Sequence, residues 1–251
     1  MTMLINPYAF GAGAAPPAFA PDDISGLEVW YDADAITGLS DTDPVTSWSD
    51  GSANGRTLTQ GTANRQPAYV ASAKNGKPGV DFDGSDYLAT AAFALPITDA
   101  YTAFVVGYID SAASPLGNTP YNWLSVNTNR LLTHMAYNNG STYIDCGDAA
   151  SGGRYSFTTP ASVVGNWNIT RITRDGANSA YVENGTTLGS TTGLTDALDT
   201  GSASLYVGST GSSGFFDGRI CELILYNRAL TASEIDDVET YLAAKYAITV
   251  V

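Results

Sequence analysis

Residues 217–246 read DGRICELILYNRALTASEIDDVETYLAAKY, and they decide the fold. Residues 218–226 place Ile and Leu side chains on both faces of a predicted strand, which is typical of a central strand covered on each side. Strict alternation predicts that Ile220, Glu222, Ile224 and Tyr226 share one face and that Cys221, Leu223 and Leu225 share the other.

The second half of this stretch predicts an amphipathic helix. Thr231 is the expected N-cap, and Glu234 three residues later completes a T-x-x-E capping box. Apolar residues then recur at steps of three or four and form one stripe for packing against the domain: Ile235, Val238, Leu242 and Tyr246.

The same segment contains EIDDVE, which resembles the carboxylate spacing on the catalytic strand of laminarinase-type and lichenase-type β-glucanases. A retaining glycosidase needs two carboxyl groups about 5–5.5 Å apart. On a helix, residues advance by about 100° each, so Glu234, Asp236 and Glu239 diverge. We therefore predict that Glu234 caps the helix, that Asp236, Asp237 and Glu239 are solvated, and that the chain is not an enzyme.

The rest of the chain predicts many short strands. Of 251 residues, 26 are Gly and 15 are Tyr, and Gly, Asn and Asp turns separate the apolar runs. This pattern is typical of a two-sheet sandwich or a barrel. Besides the strand that contains Leu27, Val29 and Tyr31, the predicted strands are 79–83, 86–90, 101–108, 122–126, 131–137, 142–146, 166–174, 179–183, 204–209 and 218–226.

Charge and composition exclude several classes of partner. The net charge is −14, which disfavours direct binding to nucleic acid. No run approaches the roughly 20 apolar residues of a membrane span. Cys146 and Cys221 fit either two buried thiols or one disulfide.

Two parts of the chain differ in composition. Residues 1–24 are rich in Ala, Gly and Pro and are expected to form an extended arm, whereas residues 25–251 form one domain. The arm lacks the basic start and uninterrupted apolar region of a Sec signal peptide. It either packs on its own domain or docks onto a neighbouring subunit or a larger assembly, so we expect an oligomer or an assembly component.

Several segments together resemble the LamG-like, concanavalin A-like jelly-roll domains of bacterial and phage surface proteins. The opening GLEVWYDADAITG, the middle GNWNITRITRDGANSAYVENGT and the closing strand and helix quoted above carry the likeness, which covers roughly residues 25–247. The resemblance implies an all-β, two-sheet antiparallel jelly-roll sandwich with one C-terminal capping helix. The fold hosts lectins, adhesins, enzymes and structural modules, so it does not define a function.

Sugar-binding chemistry is present in several predicted loops, two of which supply the candidate binding residues. Lectin-like sandwiches stack sugars on aromatic rings and bond their hydroxyls with amides. GNTPYNWLSVNTNR offers Tyr121, Trp123 and Asn127, and MAYNNGSTY offers Tyr137 and Asn139. The alternative for each aromatic residue is packing in the core or an interface. The only histidine, His134, is expected to be structural or on the surface.

Calcium is common in relatives of this fold and binds oxygen ligands. Asp81, Asp83, Asp86 and Asp217 occupy strand ends or loops, yet no spacing matches a defined calcium loop. We assign no metal ligand and expect no required cofactor, with Ca²⁺ left as an alternative.

Three functions follow from these patterns. The first is a non-enzymatic structural or interaction protein of a phage virion, a capsid decoration or tail protein on the virion surface. It would dock onto other virion proteins through residues 1–24 and bind surface glycans. The second is a secreted or cell-surface carbohydrate-binding lectin or adhesin. The third, which the diverging carboxylates disfavour, is a glycan-active enzyme.

Overall fold

The computed structural model of the protein describes residues 19–111, 118–126, 129–199 and 201–251. These residues form eighteen strands: Leu27–Asp32 (β1), Ser47–Trp48 (β2), Leu58–Thr59 (β3), Ala68–Lys74 (β4), Lys77–Asp83 (β5), Leu88–Ala89 (β6), Phe93–Ala94 (β7), Ala100–Ile109 (β8), Tyr121–Val126 (β9), Asn129–His134 (β10), Ser141–Asp148 (β11), Arg154–Thr158 (β12), Trp167–Asp175 (β13), Asn178–Glu183 (β14), Thr186–Thr191 (β15), Ser202–Ala203 (β16), Leu205–Val207 (β17) and Asp217–Tyr226 (β18). They also form the α-helix Ala232–Tyr246 (α1) and the short 3-10 helices Pro21–Asp23, Ala33–Ala35, Ala63–Arg65, Ala149–Ser151 and Ala161–Val163.

Two antiparallel sheets of eight strands form the sandwich. The first sheet has the order β15-β14-β13-β8-β18-β5-β4, with β1 also paired to β18, and the second has the order β12-β11-β10-β9-β17-β6-β3-β2. Strands β7 and β16 make a separate small pair. The predicted fold class, an all-β two-sheet jelly-roll sandwich with a C-terminal helix, is confirmed.

The apolar side chains fall into two clusters. The larger lies between the sheets and contains residues of both, such as Phe82 from the first sheet and Trp123 from the second. The smaller lies between the outer face of the first sheet and α1, and it contains Phe104, Val238 and Leu242. The first sheet is therefore covered on both faces, which explains why its central strand is apolar on both.

Strand β18 is central, as predicted, but its alternation is interrupted. Ile220 pairs with Gly107 of β8 and Glu222 pairs with Val106, so Cys221 is an extra residue in a β-bulge. The bulge places Ile220 in the inter-sheet core and Cys221 in the cluster beneath the helix. The predicted faces of these two residues are wrong for this reason, whereas Glu222 does face the helix.

The capped helix is confirmed. The side chain of Thr231 accepts a hydrogen bond from the Glu234 backbone nitrogen, and the Glu234 carboxylate accepts one from the Thr231 backbone nitrogen. The Arg228 guanidinium also donates to Glu234 at 2.5 Å, and these bonds lower the pKa of the Glu234 carboxyl to about 2. The side chain that heads EIDDVE thus stabilises the helix start.

One expectation for this helix is wrong. Glu239, predicted to be solvated, is buried, and its carboxylate accepts a 2.8 Å hydrogen bond from the guanidinium of Arg171 on β13. This ion pair connects the helix to the first sheet through two residues that are 68 positions apart in the sequence.

A buried charge cluster joins the helix to the centre of the first sheet. The Glu222 carboxylate accepts hydrogen bonds from Trp30 Nε1 at 2.7 Å, from the Tyr241 hydroxyl at 3.0 Å and from the Tyr246 hydroxyl at 2.9 Å. Lys245 Nζ lies 2.9 Å from Glu222 and 2.6 Å from Asp32. Burial raises the pKa of Glu222, and these donors offset the cost of keeping its charge in the interior.

The residues just before the domain pack on it. The Phe19 ring lies 5.9 Å from the Tyr241 ring, Ile24 belongs to the cluster under the helix, and the Tyr226 hydroxyl donates to the Pro21 carbonyl. Residues 1–18, most of the predicted arm, lie outside the described residues.

The two cysteines are both free and buried. Cys146 faces the inter-sheet core and Cys221 faces the helix, so of the two alternatives the structure has buried thiols. Within the described residues, no helix has the length and apolar character that crossing a bilayer requires.

Replacing Lys245 by methionine tests the charge cluster. Lys245→Met removes the cation beside a carboxylate whose side chain is 0% exposed, so we expect the free energy of unfolding to fall by about 3–5 kcal/mol. Denaturant unfolding measures it.

The control is Lys77→Met, because the Lys77–Asp34 pair is 38% exposed on each side and is expected to contribute less than about 1 kcal/mol. An equal fall in the free energy of unfolding of the two variants would contradict the expectation that the buried ion pair contributes more than the exposed one. Adding Glu222→Gln to Lys245→Met is expected to recover part of the loss, because it removes the unpaired charge.

Candidate functional site

A cleft lies on the outer face of the second sheet, on strands β10, β11 and β12. One face of these strands packs toward the other sheet and contributes residues such as Leu131, Ile144 and Tyr155 to the inter-sheet core. The residues between them point to the opposite face because strand side chains alternate. The cleft is therefore built from the outward positions of three neighbouring strands.

The floor of the cleft is a carboxylate shared by two arginines. Asp145, whose side chain is 0% exposed, lies directly opposite Arg154 on β12 and diagonally opposite Arg130 on β10. Arg154 donates to it from Nε at 2.5 Å and from Nη2 at 2.7 Å, and Arg130 donates from Nε at 2.7 Å. The hydrogen bonds to Asp145 raise the pKa of the Arg154 guanidinium above its ordinary value. Arginine side chains carry a positive charge in proteins.

Aromatic rings line the rest of the cleft. Tyr143 lies edge-on to Tyr137, with ring centres 5.5 Å apart, and the Arg154 guanidinium lies 4.9 Å from the centre of the Tyr143 ring. His134 is the cross-strand neighbour of Tyr143. The cleft has a volume of about 240 Å³ and is lined by Arg130, His134, Tyr137, Tyr143 and Arg154.

His134 is held in its neutral form. Its Nδ1 shares a 2.8 Å hydrogen bond with the hydroxyl of Thr119. Burial lowers the pKa of the imidazole to about 4, and Arg130 and Arg154 act in the same direction while Asp145 opposes them. At neutral pH this histidine therefore offers one N–H donor or acceptor and no charge.

Two of the five predicted sugar-binding residues belong to this cleft. Tyr137 lines it, and the amide of Asn139 donates a 2.6 Å hydrogen bond to the Tyr143 hydroxyl. Asn139 is exposed and does not line the cleft itself, but its hydrogen bond helps to position the Tyr143 ring.

The other three predicted sugar-binding residues are not part of the described cleft. Tyr121 and Trp123 are 1% and 0% exposed and belong to the inter-sheet core, so no sugar can stack on either ring. The Trp123 indole donates to the Ala203 carbonyl, and the Tyr121 hydroxyl accepts from Thr133. Both are corrected to core residues, the alternative considered for each. Asn127 lies outside the described residues.

Sequence reasoning missed the charged residues of the cleft, Arg130, Asp145 and Arg154. A usable signal was present, because Arg130, Leu132 and His134 alternate with residues of the opposite face along β10. Period-2 alternation marks two faces but does not pair residues across strands, so the shared carboxylate had no signature along the chain.

Two of the acidic residues considered for calcium have partners within the chain. Asp81 pairs with Arg219 at 3.1 Å, and Asp83 accepts hydrogen bonds from Ser85, as in a local turn. No group of three or more His, Cys, Asp or Glu residues with the geometry to hold a metal ion occurs in the described part of the chain.

Comparisons with known proteins agree on the fold. The model of the family Laminin_G_3, described as the concanavalin A-like lectin/glucanases superfamily, matches residues 82–236. No curated protein sequence matches the chain.

Similar solved structures include domain 4 of AbnA, an extracellular arabinanase from Geobacillus stearothermophilus, in complex with arabinotriose. It is 19% identical, with a TM-score of 0.61 over 85% of this chain and 98% of that one. The binding domain of Paraclostridial Mosquitocidal Protein 1 is 14% identical, with a TM-score of 0.59 over 89% of this chain and 53% of that one. The sialidase of Trypanosoma rangeli is 14% identical, with a TM-score of 0.57 over 88% of this chain and 33% of that one. The chain thus spans a third to a half of the last two structures and nearly all of the first.

A pH series tests the neutral state of His134. Its folded-state pKa of about 4 lies below the ordinary value of 6.5, so the folded protein binds fewer protons between these values. This contribution to stability is present above pH 6.5 and is lost as the pH falls toward 4. Between pH 7 and pH 4.5, wild type should lose about 2 kcal/mol more unfolding free energy than His134→Gln.

Denaturant unfolding of both proteins at each pH measures the difference. Because His134 is the only histidine, the difference between the curves isolates its titration. Parallel pH profiles would contradict the partly buried, neutral imidazole.

Proposed function

The chain belongs to the concanavalin A-like lectin/glucanases superfamily, and from this membership we propose that it is a non-enzymatic carbohydrate-binding protein whose ligand occupies the cleft of Arg130, His134, Tyr137, Tyr143 and Arg154. One observation carries the proposal: two tyrosine rings and two guanidinium groups line one open cleft on the outer face of the second sheet. Aromatic faces accept the apolar side of a sugar ring, and guanidinium and imidazole groups bond its hydroxyls.

The cleft residues support binding and offer little for hydrolysis. Among the described residues, the only carboxylic acid at the cleft is Asp145 at its floor, which is buried and accepts three hydrogen bonds from arginines. Glu234 caps a helix and Glu239 pairs with Arg171, so neither faces the cleft as a catalytic pair would. AbnA domain 4, whose structure holds arabinotriose, has the same fold over nearly its whole length and supports a binding role.

A variant of Tyr143 tests the proposal. After an oligosaccharide array identifies a ligand, Tyr143→Ala should weaken its binding roughly tenfold, because the variant loses the stacking surface and the contact with Tyr137. Isothermal titration calorimetry measures the affinity, and chromatography of the recovered ligand checks that it is intact.

The matched control is Tyr108→Ala. Tyr108 lies on the first sheet and has the same kinds of neighbours, a ring (Trp167, 5.5 Å) and an arginine (Arg219, 5.6 Å). A silent array, cleavage of the ligand, or an affinity that changes only in the Tyr108 variant would refute the proposal.

We also propose that the protein works outside the cell on a surface, with a virion surface as the preferred setting and a secreted or cell-surface lectin as the alternative. The Ala-, Gly- and Pro-rich arm before a lectin-like domain supports attachment to other virion proteins in a larger assembly. Pro21 and Ile24 already contact the domain. We therefore propose that residues 1–18 of the arm are the segment that docks onto other proteins.

Two truncations test the docking segment. Deletion of residues 1–18 keeps the contacts of Phe19, Pro21 and Ile24, so we expect an unchanged melting temperature and loss of co-sedimentation with purified particles. Deletion of residues 1–24 should lower the melting temperature as well. Full co-sedimentation of the shorter deletion would exclude docking through the arm.

A further inference from the structure

We propose that the cleft selects glycans bearing an isolated anionic group, a carboxylate or a sulfate ester, and that Arg130 and Arg154 bind this group. The inference rests on the proposed function, because it names the ligand class of the same cleft. It follows from the charge balance of the cleft, from its unused hydrogen-bond donors and from the net charge of the whole protein.

The charge balance of the cleft differs from that of the other ion pairs. Two guanidinium groups face the single carboxylate of Asp145, and His134 is neutral, so one positive charge is uncompensated. At the other described arginine ion pairs, each arginine has at least one carboxylate of its own: Arg56 with Glu28, Arg171 with Glu239, Arg219 with Asp81 and Asp110, and Arg228 with Glu234. One arginine suffices to neutralise a buried carboxylate, so the second leaves a positive charge at the cleft that an anionic ligand would compensate.

The donors that Asp145 leaves unused suit an anion. Arg130 donates to Asp145 through Nε alone, and Arg154 through Nε and Nη2. Within the described part of the chain, no hydrogen bond engages the Nη groups of Arg130 or Nη1 of Arg154. The two side chains are 26% and 29% exposed, so these donors are accessible yet partly desolvated. Guanidinium forks match the paired oxygens of a carboxylate or sulfate.

The rings place a sugar beside this charge. Arg154 lies against the Tyr143 ring, so a sugar that stacks on the cleft tyrosines brings its ring substituents next to the guanidinium groups. Stacking supplies affinity for any sugar of suitable shape, whereas the arginines distinguish a charged substituent from a neutral one.

The net charge of the protein limits the number of anionic groups. With 25 acidic and 11 basic residues, the protein repels a polyanion at long range. Salt screens this repulsion beyond about 8 Å at physiological ionic strength, so a single anion within the cleft interacts mainly with the two arginines. The ligand is therefore a mostly neutral glycan with one acidic substituent.

The test compares ligands that differ only in charge. One pair of probes is a xylo-oligosaccharide with a single glucuronic acid branch and its methyl ester. The other pair is 6′-sulfolactose and lactose, which separates sulfate from carboxylate recognition. Calorimetric titration into the full chain should show that at least one anionic probe binds roughly 10-fold to 100-fold more tightly than its neutral partner. This preference should decline as NaCl is raised from 20 to 500 mM.

Variants assign the preference to the cleft. Arg130→Gln leaves both Arg154 bonds to Asp145 in place, so the variant should fold and lose most of the preference. Arg219→Gln is the control, because Arg219 is 32% exposed, pairs with carboxylates and lies on the first sheet. It should keep the preference. Thermal unfolding of both variants confirms that they are folded.

The possible results separate this inference from the proposed function. A preference for an anionic probe that Arg130→Gln abolishes and Arg219→Gln keeps supports both. Equal binding of the charged and neutral probes overturns the anionic selectivity and leaves carbohydrate binding intact. A preference that survives Arg130→Gln overturns the assignment to this cleft. If no probe binds and the oligosaccharide array shows no ligand, both the anionic selectivity and the carbohydrate-binding function are overturned.

Discussion

The buried carboxylate of Glu222 is the constraint on which the first sheet and the helix depend. An unpaired charge in the interior costs several kcal/mol, so Glu222 requires all its donors in place. These come from Trp30 on a neighbouring strand and from Tyr241, Lys245 and Tyr246 on the helix. Because the donors are distributed over strand β1 and three helix positions, the carboxylate fixes the orientation of the helix on the sheet. Hydrophobic burial alone is non-directional and leaves that orientation less specified.

The helix covers the outer face of the first sheet, and the candidate cleft lies on the outer face of the second sheet. The outer face of the first sheet carries an apolar cluster that α1 covers, whereas the outward positions of strands β10 to β12 are mostly polar or charged. Their outward positions are free for polar and charged residues, because one solvated face is the ordinary state of an antiparallel sheet. Asp145 is buried there under Arg130 and Arg154, so the cleft combines a rigid floor with accessible donors. A rigid platform of this kind limits the entropy lost on binding a ligand.

Much of the fold was predictable, because strong periodicity extends over long segments. The capped helix and most long strands, including β8, β13 and β18, were found at nearly their observed bounds. The prediction failed where local signals are short or irregular. Strands such as Ser47–Trp48 have two residues and no period, and the polar edge strand Thr186–Thr191 resembles a loop. The bulge at Cys221 reversed the predicted faces of two residues, since one extra residue shifts a period-2 pattern.

The sequence by itself determined the fold class, the capped helix that replaces a catalytic reading of EIDDVE, and the aromatic character of the loop that contains Tyr137. Tertiary structure alone decided which aromatic residues are accessible, because alternation separates two faces without stating which one meets the other sheet. Trp123, which the sequence placed among the sugar-binding candidates, therefore lies in the core. The cleft also depends on the alignment of three strands, which brings Arg130 and Arg154 onto one carboxylate. Cross-strand register results from packing and hydrogen bonding between distant segments, so no short stretch of the chain encodes it.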